Sequence, residues 1–151
     1  MIENCYGRSA YYDEILSIFE HAKSGQTLCD SIISSSQSLL KAVGVTQTQT
    51  PRKSSEMEVS GVGSERVLDL MKAVNGTQYI TGFGAKNYLA HELFENAGID
   101  VKYMNYDALP WPQHTPEFTP YVSALDLVAN VAPENRKAHL NPKTNDWRSV
   151  I

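Results

Sequence analysis

Two short stretches hold residues whose types and spacing could do chemistry. The first is residues 80–89, ITGFGAKNYL, in which Gly82 and Gly84 precede Lys86, Asn87 and Tyr88. If a strand hands over to a helix there, backbone N–H groups at the turn point outward with partial positive charge, and glycines let an anion approach the main chain closely. Lys86 would add a full charge suited to phosphate or carboxylate. A tight βα turn with a solvated lysine accounts for the same residues, and a G-x-G without its third glycine does not choose between the two. The second stretch is YVSALDLVANV, where Ser123, Asp126 and Asn130 stand three and four residues apart. On a helix they share one face. Asp126 is the carboxylate able to act as a base and, with Asn130, to orient a hydroxyl or amine, with Ser123 a further ligand-binding candidate, although a solvated polar face has the same spacing.

Between them lies DALPWPQHTPEFTP, which carries four of the seven prolines. It reads as a stiff surface loop with the character of a lid or clamp. It brings Trp111, Gln113 and His114. An imidazole suits proton transfer at neutral pH, so His114 is a candidate general acid or base, while a lone loop histidine is also often only exposed. Trp111 would either stack on a sugar or base, or anchor the loop. His91-Glu92 is followed by Glu95, not a second histidine, at the i+4 position, so no zinc-protease motif exists; His91 is placed on a solvated helix face. No metal-ligand set is expected.

The elements that must position these residues follow from periodicity. Tyr11, Tyr12, Ile15, Ile18, Phe19 and Ala22 mark an amphipathic helix over 9–23. A second helix starts after Thr27, with Leu28, Ile32, Ile33, Leu39, Leu40 and Val43 on one face and Gly44 at its left-handed C-terminal cap. Val45, Thr46, Thr48 and Thr50 suit a short strand, and 51–63 a loop. Ser64 is positioned to cap a helix through Ala73 that Asn75-Gly76 closes. QYIT reads as a strand, Ala85–Ala97 as a helix stopped by Gly98, and IDVKYMNY as a half-exposed strand. Thr119 and Pro120 are placed at the start of the last helix. This rhythm is that of βαβ units. The expected fold is a small three-layer, Rossmann-like α/β domain with mostly parallel strands, a single domain over 1–131 followed by a polar, loosely docked tail over 132–151.

Composition narrows the partners. A chain of 151 residues, 42% hydrophobic and 20% charged, holds one ordinary core. Its net charge of −4 argues against nucleic-acid binding, which needs clustered Lys and Arg. Cys5 and Cys29 have no C-x-x-C spacing and read as reduced thiols of a cytoplasmic protein. No stretch has the roughly 20 apolar residues of a membrane helix.

The residues also carry a resemblance. QYITGFGAKNYLAHELFENAGIDVKYMNY, PWPQ and FTPYVSALDLVAN resemble the core and C-terminal motifs of the WbqC-like protein family, and SAYYDEILSIFE and SERVLDLMKAV are similar to its earlier helices. The resemblance runs from about Tyr6 to Asn135 and is loose around Gln47–Ser60. It implies a role in bacterial O-antigen (lipopolysaccharide) or other surface-polysaccharide biosynthesis, as a cytoplasmic transferase modifying a nucleotide-linked or lipid-linked amino sugar, with aminoacyl or glycyl transfer as its chemistry. The family's glycine turn then falls on Gly82, Gly84, Lys86, Asn87 and Tyr88, its aromatic-proline segment on Pro110, Pro112 and Gln113, and its helix motif on Ser123, Asp126 and Asn130. Nothing before Tyr6 matches the family's opening strand and Gln-Pro-aromatic-Pro motif, so the expectation is the C-terminal part of a truncated family domain, inactive alone if the missing section holds catalytic groups. A non-catalytic scaffold module and an ATP-dependent adenylating enzyme are the two alternatives. The expected partner is an activated sugar or a nucleotide, with a nucleotide-sugar or ATP with magnesium as the cofactor candidates. Self-association is the expectation if the opening helices keep uncovered apolar faces.

Overall fold

A computed structural model describes residues 2–107 and 109–151. In chain order the regular elements are α1 (Ile2–Tyr6), α2 (Tyr12–Lys23), α3 (Leu28–Ala42), α4 (Gly63–Ala73), β1 (Gln78–Thr81), α5 (His91–Asn96), β2 (Asp100–Tyr106), α6 (Ala124–Asn130), α7 (Pro133–Arg136) and β3 (Pro142–Asp146). They form two compact units, one of residues 1–51 and 108–141, the other of 52–107 and 142–151.

The first unit is helical. The side chain of Thr27 accepts a hydrogen bond from the Asp30 amide at 3.2 Å, which starts α3, and Gly44 takes φ 75° just beyond its end, a conformation that penalises any Cβ. Ile15 and Ile18 of α2, Val43, Trp111, and Leu127, Val128 and Ala129 of α6 make its core. Arg136, fully buried, holds the unit together at the polar end. Its Nη1 and Nη2 donate to Glu14 Oε1 and Oε2 at 2.8 and 2.7 Å. It also donates to the carbonyls of Ala42, Val128 and Val131, groups that the ends of α3 and α6 leave without partners.

The second unit is α/β. Its three-stranded sheet has the order β1-β2-β3, with β1 parallel to β2 and β3 antiparallel to it. Val101 and Tyr103 point from β2 into a core shared with Leu68 of α4, Phe94 of α5, Ala85, Leu89 and Ile99. The fold is therefore α/β with a small mixed sheet. The antiparallel pairing comes from PKTND, a polar segment with no alternating apolar signal.

Several expected elements form as the periodicity indicated, and others are displaced for identifiable reasons. The strand expected from Val45, Thr46, Thr48 and Thr50 is irregular, because β-branched residues make a strand only when a neighbour pairs with them. The helix expected over 85–97 is split into a 3-10 turn at Phe83–Asn87 and the six-residue α5. Ser64 accounts for the break: its hydroxyl donates to the Tyr88 carbonyl and accepts from the Ala90 amide, at 3.3 and 2.9 Å, so it is not the cap of α4. The helix expected to start at Thr119 and Pro120 begins instead at Ala124, with Ser123 accepting from the Leu125 amide at 3.3 Å, and it is followed by α7. The loop after Tyr106 is irregular, as its prolines require; its Ala108 lies outside the described residues, as does Met1. Residues 132–151, expected as a loose tail, carry α7, β3 and the buried Arg136.

Candidate functional site

In the first unit the proline-rich loop and α6 converge on one carboxylate. Asp126 lies on the buried side of α6, with only 7% of its surface exposed, because Leu127, Val128 and Ala129 beside it draw the helix into the core. Its Oδ1 accepts from Trp111 Nε1 at 2.7 Å and from Gln113 Nε2 at 3.0 Å. Tyr6 of α1 neighbours the same carboxylate; burial first, and the Asp126 charge second, push its hydroxyl above the ordinary tyrosine range. No polar side-chain atom that is buried here lacks a partner among the described residues.

The loop is tied by its own glutamine. Gln113 donates to the Thr119 carbonyl at 3.0 Å and accepts from the Thr119 amide at 2.8 Å, so one side chain closes 113–119 as a strand partner would. Trp111 belongs to the core, with Phe118 edge-on at 4.9 Å, and anchors the loop through its ring and its N–H. His114, at the exposed crest, meets Ser9 Oγ through Nε2 at 2.8 Å, and Ser9 donates to Asn130 Oδ1 at 3.4 Å. Asn130 in turn donates from Nδ2 to the Asp126 main-chain carbonyl at 2.9 Å.

These groups border open space. A cavity of about 180 Å³ is lined by Tyr6, Gln113, His114, Thr119 and Asp126, among others. A second, of about 550 Å³, is lined by Glu3, Asn4, Cys5, Arg8 and His114. His114 lines both. Trp111, Gln113, His114, Asp126 and Asn130 are thus assembled, while Ser123 stands exposed at the helix start as its cap. Tyr6, Ser9 and Arg8 join them without having been singled out from the sequence. The only prior hint was their position just ahead of α2, whose apolar face packs on α6.

The glycine turn belongs to the second unit and is put to different use. Gly82 has φ −88° and ψ 163°, ordinary extended values, and a Cβ at Gly82 or Gly84 would meet nothing within 4 Å. Lys86 sits in the 3-10 turn, and its Nζ donates to the Val150 carbonyl at 2.6 Å. Asn87 ends that turn, and Tyr88 is 63% exposed. His91 is buried rather than solvated. Its Nε2 meets the Tyr103 hydroxyl at 2.7 Å and its ring stacks on Trp147 at 4.7 Å. Burial lowers its pKa below the ordinary imidazole range against the opposing effect of Glu92 and Glu95. Among the described residues no three His, Cys, Asp or Glu side chains gather as a metal site, and no helix is long and apolar enough to cross a membrane.

Comparison with known proteins adds a family to this geometry. The model of the WbqC-like protein family matches residues 1–138, nearly the whole chain rather than one portion of it. Over 80 residues the chain is 32% identical to a Mycobacterium tuberculosis protein named Uncharacterized protein Rv1507c, an alignment covering 52% of this chain and 35% of that protein. The chain thus spans about a third of the length of this curated relative. No solved structure matches.

Proposed function

The chain belongs to the WbqC-like protein family, and from that premise we propose that it is a transferase of bacterial surface-polysaccharide biosynthesis, O-antigen included, which modifies an activated amino sugar by aminoacyl or glycyl transfer. The observation that carries this reading is the cavity bordered by Asp126, Tyr6, Gln113 and His114. In acyl transfer an amine or hydroxyl attacks an activated carbonyl: the new C–N or C–O bond forms, the bond to the leaving group breaks, and the attacking group's proton needs an acceptor. His114 is the exposed group suited to take it. Asp126, with Oδ1 already accepting two donors, acts chiefly as a fixed negative charge that holds Tyr6 and Gln113 in place. The glycine turn is a separate proposal. The open space over Gly82 and Gly84 would admit a phosphate, which would compete with the Val150 carbonyl for Lys86.

The test is a thermal melt of the 151-residue chain with UDP-sugars, dTDP-sugars or ATP, each with magnesium. A ligand bound only by the folded state raises stability by about 2.7 kcal/mol at a hundred times its dissociation constant. The expected result is a rise with one nucleotide class that Asp126→Asn removes. A melt indifferent to every member of the panel would instead favour the scaffold reading, which the exposure of Leu28 (78%) and Ile32 (55%) on α3 supports. The same apolar face is the basis for proposing self-association, measurable by sedimentation velocity.

A further inference from the structure

We propose that Ser9 and Asn130 are positioning residues that lock neutral His114 as its Nε2–H tautomer, leaving Nδ1 as the proton acceptor. This rests on the transferase reading only for its chemical use, since the tautomer itself is a property of the free chain. The argument starts at the fixed end of a hydrogen-bond chain. Asn130 lies 2.9 Å from the Asp126 main-chain carbonyl. A carbonyl can only accept, so the amide must present Nδ2 there; the flipped amide would set two acceptor oxygens against each other. Oδ1 of Asn130 therefore faces Ser9, and Ser9, which has one hydroxyl proton, donates it to Oδ1 at 3.4 Å. The proton is then spent. The 2.8 Å contact between Ser9 Oγ and His114 Nε2 must use a proton from the imidazole, so Nε2 is the protonated nitrogen.

Two consequences follow. A serine 2.8 Å from a histidine invites comparison with a nucleophile and its base, but here the hydroxyl points the wrong way: the imidazole donates to Ser9 and cannot accept its proton. Ser9 is 9% exposed and meets Nε2, so it orients His114 and leaves the other nitrogen without a protein partner among the described residues. Neutral Nδ1 then carries the lone pair, and His114 lines both cavities. The group it can serve is a protic nucleophile, the amine or hydroxyl of the acceptor sugar.

Nitrogen-15 NMR of the histidine side chains reads the tautomer directly. At about pH 8, above the ordinary imidazole range, His114 of the intact chain should be protonated on Nε2 with Nδ1 bare. Ser9→Ala should collapse this to a mixture of tautomers, and Ser9→Thr, which keeps the hydroxyl, should restore it. Asn130→Leu removes the acceptor and frees the Ser9 proton for His114, so it should also scramble the tautomer, with a chain that still melts cooperatively as the control. A dominant Nδ1–H form in the intact chain, or a tautomer untouched by Ser9→Ala, would overturn the proposal. If no ligand in the nucleotide panel binds, the transferase reading fails while the tautomer result stands; if the tautomer is wrong but ligands bind, only the positioning role is lost.

Discussion

The proline-rich loop with α6 and the glycine turn with α5 are built from similar parts, yet they spend their polar groups in opposite ways. At the glycine turn the one cation, Lys86, is engaged by the Val150 carbonyl, and the nearby histidine is buried between Tyr103 and Trp147. At the proline loop a buried carboxylate is met by Trp111, Gln113 and Tyr6, and the surplus capacity borders a cavity. The difference teaches that a motif's residue types say less about a site than which partners the fold supplies. Glycines and a lysine in a turn fall to structural use when a main-chain carbonyl lies within reach. A carboxylate on a helix becomes a candidate centre when the helix's own apolar neighbours pull it inward.

The strongest way to break the contrast is to remove the platform under the proline loop. Glu14→Ala leaves Arg136 buried without its carboxylate, and should cost about 3–5 kcal/mol. Arg136→Met should cost at least as much, because it strands the carbonyls of Ala42, Val128 and Val131 as well as removing the partner of Glu14. Urea denaturation followed by Trp111 fluorescence in a Trp147→Phe background measures both, and a clearly smaller cost for Arg136→Met would refute this order. Next in size is Asp126→Ala, which strands the Trp111 and Gln113 donors at a cost of about 1–3 kcal/mol. Asp126→Asn keeps an acceptor and should cost less, while abolishing any ligand-induced rise of the melting midpoint.

The second unit should show its own signature on acidification. The pKa of His91 is lowered by burial, so below about 6.5 the unfolded chain takes up a proton that the folded unit resists. The stability from this group is present above that value and is lost as pH falls. Glu95, held down by its hydrogen bond from Arg148, and Asp146, held down by Lys102, add further losses below their ordinary values of 4.5 and 3.8. Trp147 fluorescence in a Trp111→Phe background follows this unit, and His91→Gln should remove the first part of the pH dependence. The smallest expected effect is that of Lys86→Ala. Its melt should match the parent, since an exposed lysine gives up one carbonyl contact, whereas loss of nucleotide response in this variant would place an anion site at the glycine turn.

Much of this was legible beforehand where the signal is local. The helix after Thr27, its end at Gly44, the strand QYIT and the strand IDVKYMNY follow from capping chemistry and apolar period, which neighbouring residues alone specify. The candidate site was legible in part: Trp111, Gln113, His114, Asp126 and Asn130 lie in two stretches close in sequence. Tyr6 and Ser9 were not, since Ser9 meets His114 and Asn130, and Tyr6 neighbours Asp126, across more than a hundred residues, and no spacing rule crosses that distance. The placement of His91 failed for a related reason. A helix's face is assigned from its own residues, and Trp147 of the other end of the chain is what covers it.

The sequence by itself therefore determined the α/β character, the helix ends that glycine and threonine mark, the absence of a long apolar span, and family membership. Only the tertiary structure decided that PKTND pairs as the antiparallel strand, that Arg136 joins the ends of α3 and α6 to Glu14, that Lys86 is occupied, and that His114 meets Ser9 and Asn130. The physical reason is one of range. Propensity, capping and periodicity act over one or two turns of chain. A buried charge, a sheet edge or an imidazole takes whichever partner leaves the fewest polar groups unpaired, and those partners arrive from anywhere along it.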